Sequence, residues 1–175
     1  MPVRRLMWSD MDDLIRNYYS YYDELALYPD LGLILFKQRP NYASEIDWFT
    51  ALYKDAMNNE GVAMVAEEDG RAVGLCDIQM ERKNSEISHV GVLGIAILKD
   101  YRGKGLGRAL MTSALEEGKK LFDIIRLGVF VDNHAAISLY RKLGFVEYGR
   151  LPAALKRNGK YRDEILMYYD CRKTI

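Results

Sequence analysis

Two histidines and two cysteines in 175 residues leave little from which to build a metal centre or a disulfide framework. Cys76 and Cys171 stand in apolar stretches, with no Cys-x-x-Cys spacing and no histidine at ligand distance. They read as buried thiols, and no metal is expected. No apolar run approaches the ~20 residues of a membrane span, and the opening MPVRRLMWSDMDDL carries no apolar targeting core. Net charge is lacking too, with 25 Lys and Arg against 25 Asp and Glu. That removes the global field that nucleic acid or an anionic membrane would require. A soluble cytoplasmic protein is expected, with neither nucleic acid nor membrane as partner. Proline is scarce, and neither a Ser-rich tract nor a repeat interrupts the chain, so one domain is expected over residues 1–175.

What is present is distributed unevenly. Residues 1–60 carry 6 cations against 10 anions and many tyrosines, whereas residues 61–175 carry 19 against 15. A strand at VRRLMW leads into a helix capped by Ser9, with Leu14, Tyr18, Tyr21, Tyr22 and Leu25 on one stripe and an end near Tyr28. A second helix is expected from Ser44 as cap. Residues 61–132 then open with a hairpin, GVAMVAEEDGRAVGLCDIQMER, closed by an Asp-Gly turn, and a long third strand, EISHVGVLGIAIL. The pattern next alternates: helix at about 105–121, strand IRLGVFV, helix at about 135–143 within residues 133–175, and a strand from Phe145. Strand, helix, strand implies a right-handed crossover and one parallel pair in a mixed sheet. A last hairpin closes at Arg157-Asn158-Gly159-Lys160.

YRGKGLGRAL, residues 101–110, lies between the third strand and the crossover helix. Free backbone N–H groups and the positive end of a helix dipole meet there, so an anion binds readily. Gly103, Gly105 and Gly107 admit positive φ and close approach of the backbone, and Arg102, Lys104 and Arg108 add charge. A phosphate or pyrophosphate is the natural guest, although a softened turn with a solvated basic edge would give the same composition. A P-loop is excluded because no Lys-Ser or Lys-Thr follows the glycines. A Rossmann fingerprint fails at Leu110, where its third glycine belongs.

Arg-x-x-Gly-x-Gly at Arg102, Gly105 and Gly107 resembles the coenzyme A signature of the GNAT superfamily of N-acetyltransferases. NHAAISLYRKLGFVEYG resembles that superfamily's second motif, matching at Asn133, Ala136, Leu139, Tyr140, Gly144 and Phe145. The resemblance covers roughly residues 61–170. It implies an α/β (α+β-like) fold: a mixed, mostly antiparallel sheet of about seven strands flanked by about four helices, with a splayed parallel pair forming the cofactor cleft. It also implies acetyl-CoA as co-substrate. Ile95, Ala96 and Ile97 would face its pantetheine arm. Arg102, Gly103, Lys104, Gly105, Leu106, Gly107 and Arg108 would wrap its pyrophosphate, and Asn133, Ala136 and Tyr140 would line the other wall.

The implied reaction is attack of a primary amine on a thioester. An amine of pKa about 10.4 is about one part in 2,500 neutral at pH 7, equivalent to roughly 4.6 kcal/mol at 1.36 per pK unit. A base, a water chain or a desolvating pocket must meet that demand. Tyr140 holds the position that in such proteins donates a proton to the departing thiolate, and that role is expected of it; packing on the apolar helix face is the alternative reading. Many relatives carry a glutamate eleven residues before the signature, where this chain has Gly91. His89, two residues earlier on the same strand face, is a candidate base, with Glu86, the first two helices and ordered water as alternatives.

The acceptor pocket is expected between the first two helices with the 29–43 connection and the 150–162 hairpin. Its acidic balance suits a cationic amine, with Tyr19 and Tyr28 the tyrosines least explained by packing. Tyr161, Arg162, Asp163, Glu164 and Met167 match only in part the ending of relatives that modify protein N-termini. A small-molecule amine, of amino acid or polyamine type, is therefore the expected acceptor. Protein N-terminal or lysine acetylation, a non-catalytic acyl-CoA-binding module and a nucleotide-binding oxidoreductase stand as alternatives, and the protein is expected as monomer or homodimer.

Overall fold

The structure, a computed structural model, describes residues 2–173. Its strands are β1 (Val3–Arg5), β2 (Gly61–Glu68), β3 (Arg71–Met80), β4 (Val90–Ile97), β5 (Ile124–Phe130), β6 (Val146–Arg157) and β7 (Lys160–Asp170). Its α-helices are α1 (Met11–Leu27), α2 (Tyr42–Met57), α3 (Leu106–Gly118) and α4 (His134–Lys142). The seven strands form one sheet in the order β1-β2-β3-β4-β5-β7-β6. Every neighbouring pair is antiparallel except β4 and β5.

Strand alternation splits the apolar side chains between two layers. Cys76 and Ile78 of β3, Leu93 of β4, and Ile125, Leu127 and Val129 of β5 pack with Leu110, Met111 and Ala114 of α3. Ala63 and Val65 of β2 and Leu75 of β3 face the opposite way, against Leu14 of α1 and Phe49 and Leu52 of α2. Each fully buried side chain of this size contributes about 1.5–3 kcal/mol relative to exposure.

Turn chemistry sets both hairpins. Asp69 and Gly70 close β2 to β3 with φ of 49° and 73°, and Asn158 and Gly159 close β6 to β7 with 50° and 76°, the positive-φ pairs that match strand twist. Two caps differ from expectation. The first helix begins after a 3₁₀ turn, Trp8–Asp10, and Ser9 lies inside that turn, leaving Asp10 as the cap residue. The buried Asp10 carboxylate accepts the Met7 N–H at 2.8 Å and both Arg4 Nη groups at 2.8 Å, a denser set of partners than a serine could satisfy. In α2 the cap is Asn41, whose side chain accepts the Ser44 N–H at 2.9 Å. β4 is also shorter than expected, because residues 81–89 form a turn-rich connection.

One feature of the sheet positions the site. The parallel pairing of β4 with β5 runs only through Val90–Ile124, Gly91–Ile125 and Val92–Arg126. Beyond it the strands part, while β4 stays paired to β3 out to Ile97 and β5 to β7 out to Phe130.

Candidate active site

The parting strands open a cleft of about 750 Å³, floored by Ile95, Ala96 and Ile97 and closed at its ends by the 102–108 turn and the start of α4. Ile97 C=O points to the splayed edge, where Arg102 Nε donates to it at 2.7 Å. Alternation puts the Ile95 N–H on that same edge, free of β5.

The glycine turn presents a second set of open donors. Gly105 is the cap residue of α3 at φ 81°, and Gly103 stands at 74°. None of the six N–H groups from Gly103 to Arg108 meets an acceptor among the described residues. Nothing lies within 4 Å of a β-carbon built on Gly103 or Gly105. Unpaired donors at a helix N-terminus, on an open side, fit a phosphate or pyrophosphate. Arg102, Gly103, Gly105, Gly107 and Arg108 line the cleft. The side chains of two other expected residues go elsewhere: Leu106 is buried in the core, and Lys104 lies 5.6 Å from the Tyr101 ring. Arg102 is itself engaged, forming a two-pronged ion pair with Glu24 of α1, one arm at 2.8 Å, that ties the turn to the helix.

Asn133 caps α4, its side chain accepting the Ala136 N–H at 3.2 Å, and both residues line the cleft. One turn further along α4, Tyr140 is 7% exposed and reaches the same space. Burial, with a smaller contribution from Cys76 beneath it, pushes its phenol up to about 12. It therefore stays protonated throughout the neutral range.

The structure does not bring His89 to this cleft. His89 is exposed just before β4, six residues from Ile95, or about 20 Å along the strand at about 3.3 Å per residue. Its carbonyl accepts the Asp123 N–H at 2.9 Å. Glu86 lies in the same exposed connection. Gly91 cannot stand in for a glutamate facing an acceptor, because a β-carbon there would lie 2.6 Å from Ile78 and 3.0 Å from Phe122, inside the core. Tyr19 and Tyr28 are not free for a substrate cation either: Arg39 lies 4.7 Å from the Tyr19 ring and Lys99 Nζ 3.7 Å from the Tyr28 ring.

Two carboxylates that the sequence did not single out as bases flank the splay. Asp77 of β3 pairs with Gly94, and its Oδ1 lies 3.4 Å from the place of a Gly94 β-carbon. Burial pushes its carboxyl up to about 6, opposed by the Gln79 amide bound at 2.8 Å. Glu164 of β7 leans over Gly128, its Oε1 2.1 Å from where a β-carbon would stand. The lid over this side is the 29–33 segment. Arg157 holds it through the carbonyls of Pro29, Leu31 and Leu33 at 2.9, 2.8 and 2.7 Å, and Arg162 adds the Leu31 carbonyl at 3.2 Å.

The sequence pattern described as the acetyltransferase (GNAT) family matches residues 11–145, which contain the splay, the glycine turn and Tyr140. The chain belongs to the GNAT acetyltransferase family. Similar proteins include an L-amino acid N-acetyltransferase of Escherichia coli, 36% identical over 59% of this chain and 65% of that one. A spermidine N(1)-acetyltransferase of the same organism is 36% identical over 59% of this chain and 55% of that one. The chain spans less than two thirds of the length of these curated relatives. In fold, the GNAT phosphinothricin acetyltransferase of Sinorhizobium meliloti, solved in complex with acetyl-CoA, superimposes with a TM-score of 0.81 over 97% of this chain and 87% of that one, at 20% identity. Among the described residues no cluster of His, Cys, Asp and Glu could hold a metal ion, and no helix is long and apolar enough to cross a membrane.

Proposed function

We propose that the protein is an acetyl-CoA-dependent N-acetyltransferase that acts on a small primary amine, of amino acid or polyamine type. The observation that carries this reading is that one cleft is lined by the glycine turn with its free N–H groups, the unpaired edge of β4 and Tyr140. When bound, acetyl-CoA supplies the acetyl group as a thioester. The N–H groups of the glycine turn hold its pyrophosphate, with Arg108 at the rim. The Ile95 N–H on the splayed edge is the fixed donor for the oxygen on which negative charge develops. Tyr140 gives its proton to the departing sulfur and recovers one as the new amide nitrogen loses its own.

The small size of the acceptor is supported by the 29–33 segment, which two arginines pin across the open side of the splay. A folded protein surface would have to displace it. Release of free thiol from acetyl-CoA against polyamines, amino acids and peptides with free N-termini or lysines tests the reading. Release with a small amine is the expected result. Release only with peptides would assign a protein acceptor, and thermal stabilisation by acetyl-CoA without release from any amine would indicate a cofactor-binding module.

A further inference from the structure

Beside the cofactor cleft, and sharing Ile95, Asn133 and Tyr140 with it, lies a smaller cavity of about 210 Å³. Its floor is a glycine step: Gly94 on β4 and Gly128 on β5, which continue the register of the parallel pair at the point where it opens. Neither glycine has a side chain of its own, and over Gly94 the nearest atom to the β-carbon position is Asp77 Oδ1 at 3.4 Å, so an atom of a second substrate can approach the β4 backbone edge there. The other lining residues are mostly apolar, and Glu164 is the single lining residue of fixed charge.

Glu164 is held in an unusual way. Its register partner on β5 is Phe130, yet its carboxylate turns back over Gly128 and fills the volume of the missing side chain, with Cδ 2.5 Å and Oε1 2.1 Å from the β-carbon position. It accepts no hydrogen bond from any described residue. The nearest cation on its own strand, Arg162, donates to Asp132 and to the Leu31 carbonyl and lies 4.4 Å from the Phe130 ring, and its remaining Nε is buried without a partner. A half-buried carboxylate with no hydrogen-bond donor, at the wall of an otherwise apolar cavity, is a place for a cation. Asp77, beside Gly94, adds a second negative charge at the edge of the same step, about two strand spacings or on the order of 10 Å away.

We infer that Glu164 receives the acceptor's ammonium and takes the proton it must lose. We further infer that the acceptor carries that ammonium on an uncharged aliphatic arm, as a polyamine does, rather than next to a carboxylate as an α-amino acid does. The inference rests on the acetyl-transfer reading of the adjoining cleft. In the step, the N–H bond of R–NH₃⁺ breaks toward a Glu164 oxygen, leaving R–NH₂ with its electron pair free to form the C–N bond. The C–S bond then breaks, the sulfur takes the Tyr140 proton, and the second nitrogen proton restores Tyr140. Glu164 returns its proton to solvent after product leaves, so the balance is one amide, one thiol and one released proton. Filling the cavity excludes water, and the neutral amine and carboxylic acid then gain on the ion pair. An α-carboxylate in this cavity would instead face Glu164 with no cation among the lining residues to meet it.

The test is calorimetric titration of spermidine and, separately, L-alanine into protein saturated with CoA, where no turnover occurs, together with thiol-release kinetics using acetyl-CoA. Spermidine is expected to bind and alanine not to. Glu164→Gln should lose at least tenfold in spermidine affinity and a hundredfold or more in kcat/KM, with CoA affinity unchanged. Gly128→Ala keeps Glu164 but displaces its carboxylate, and should weaken spermidine in the same direction. Alanine binding more tightly than spermidine, CoA binding without spermidine binding, or parental spermidine affinity in either variant would overturn the inference and leave the acetyl-transfer reading standing. Failure of the parent protein to bind CoA would overturn that reading, and this inference with it.

Discussion

Replacing Gly105 with alanine separates a backbone's conformational preference from its role as an anion cradle. Gly105 sits at φ 81° with nothing within 4 Å of its absent β-carbon, and Gly70, in the β2–β3 turn and outside the cleft lining, sits at 73° with nothing near it either. In both places alanine meets no neighbour, so the penalty is that of a left-handed residue, about 1–2 kcal/mol. For a chain of this size that lowers Tm by roughly 2–8 °C. The two variants should therefore be destabilised alike. They should differ in ligand binding, because the open side of Gly105 is where a phosphate would approach the N–H groups of residues 103–108. Pushing it back forfeits about two charged hydrogen bonds, about 3–6 kcal/mol, or roughly 10²–10⁴-fold in Kd. Calorimetry with acetyl-CoA on Gly105→Ala and Gly70→Ala, alongside thermal melts, measures both quantities. Equal acetyl-CoA affinity in the two variants would refute the anion-cradle argument, whatever their melting temperatures.

Tyr140→Phe should leave acetyl-CoA affinity and stability nearly unchanged, since the phenol oxygen has no partner among the described residues to strand, and should lower turnover by roughly 10²–10⁴; undiminished turnover would remove Tyr140 from the chemistry. Asp77 makes a pH prediction whose sign is fixed: the folded state keeps its proton up to about pH 6, the unfolded chain only to about 3.9. The folded state thus binds more protons between those values, and stability falls as pH rises through the window, by at most about 3 kcal/mol. Urea unfolding from pH 4 to 8 should show that fall in the parent relative to Asp77→Asn; parallel curves would mean that Asp77 ionises normally. Arg157→Met should free the 29–33 segment, detected as faster amide exchange at Leu31 and Leu33 with the β2–β3 hairpin unaffected, because three carbonyls lose their shared donor.

Legibility in the sequence tracked the range of the interaction. Asp69-Gly70 and Asn158-Gly159 were readable as turns, and Gly103-Lys104-Gly105 as an open cradle, since positive φ is a property of a few adjacent residues. Asn133, Ala136 and Tyr140 were assigned to one wall by the family resemblance, and helical spacing keeps them on one side. Ser9 misled because a capping pattern does not say whether a 3₁₀ turn will precede the helix, and Arg4, brought in from β1, settles that in favour of Asp10. His89 misled for a related reason: strand alternation gives its face but not where the strand starts or where its partner leaves it.

What the sequence determined by itself was local: turns, helix faces, the anion-binding loop and the motifs that carry the family. Only the tertiary structure decided that β4 and β5 stay paired for three residues and then part. It also decided that β7 inserts between β5 and β6 to lay Glu164 over Gly128, and that Asp77 comes to rest beside Gly94. The physical reason is register. Which residue of one strand lies against which of another depends on twist, neighbouring strands and the packing of both faces together, and no stretch of chain carries that information alone.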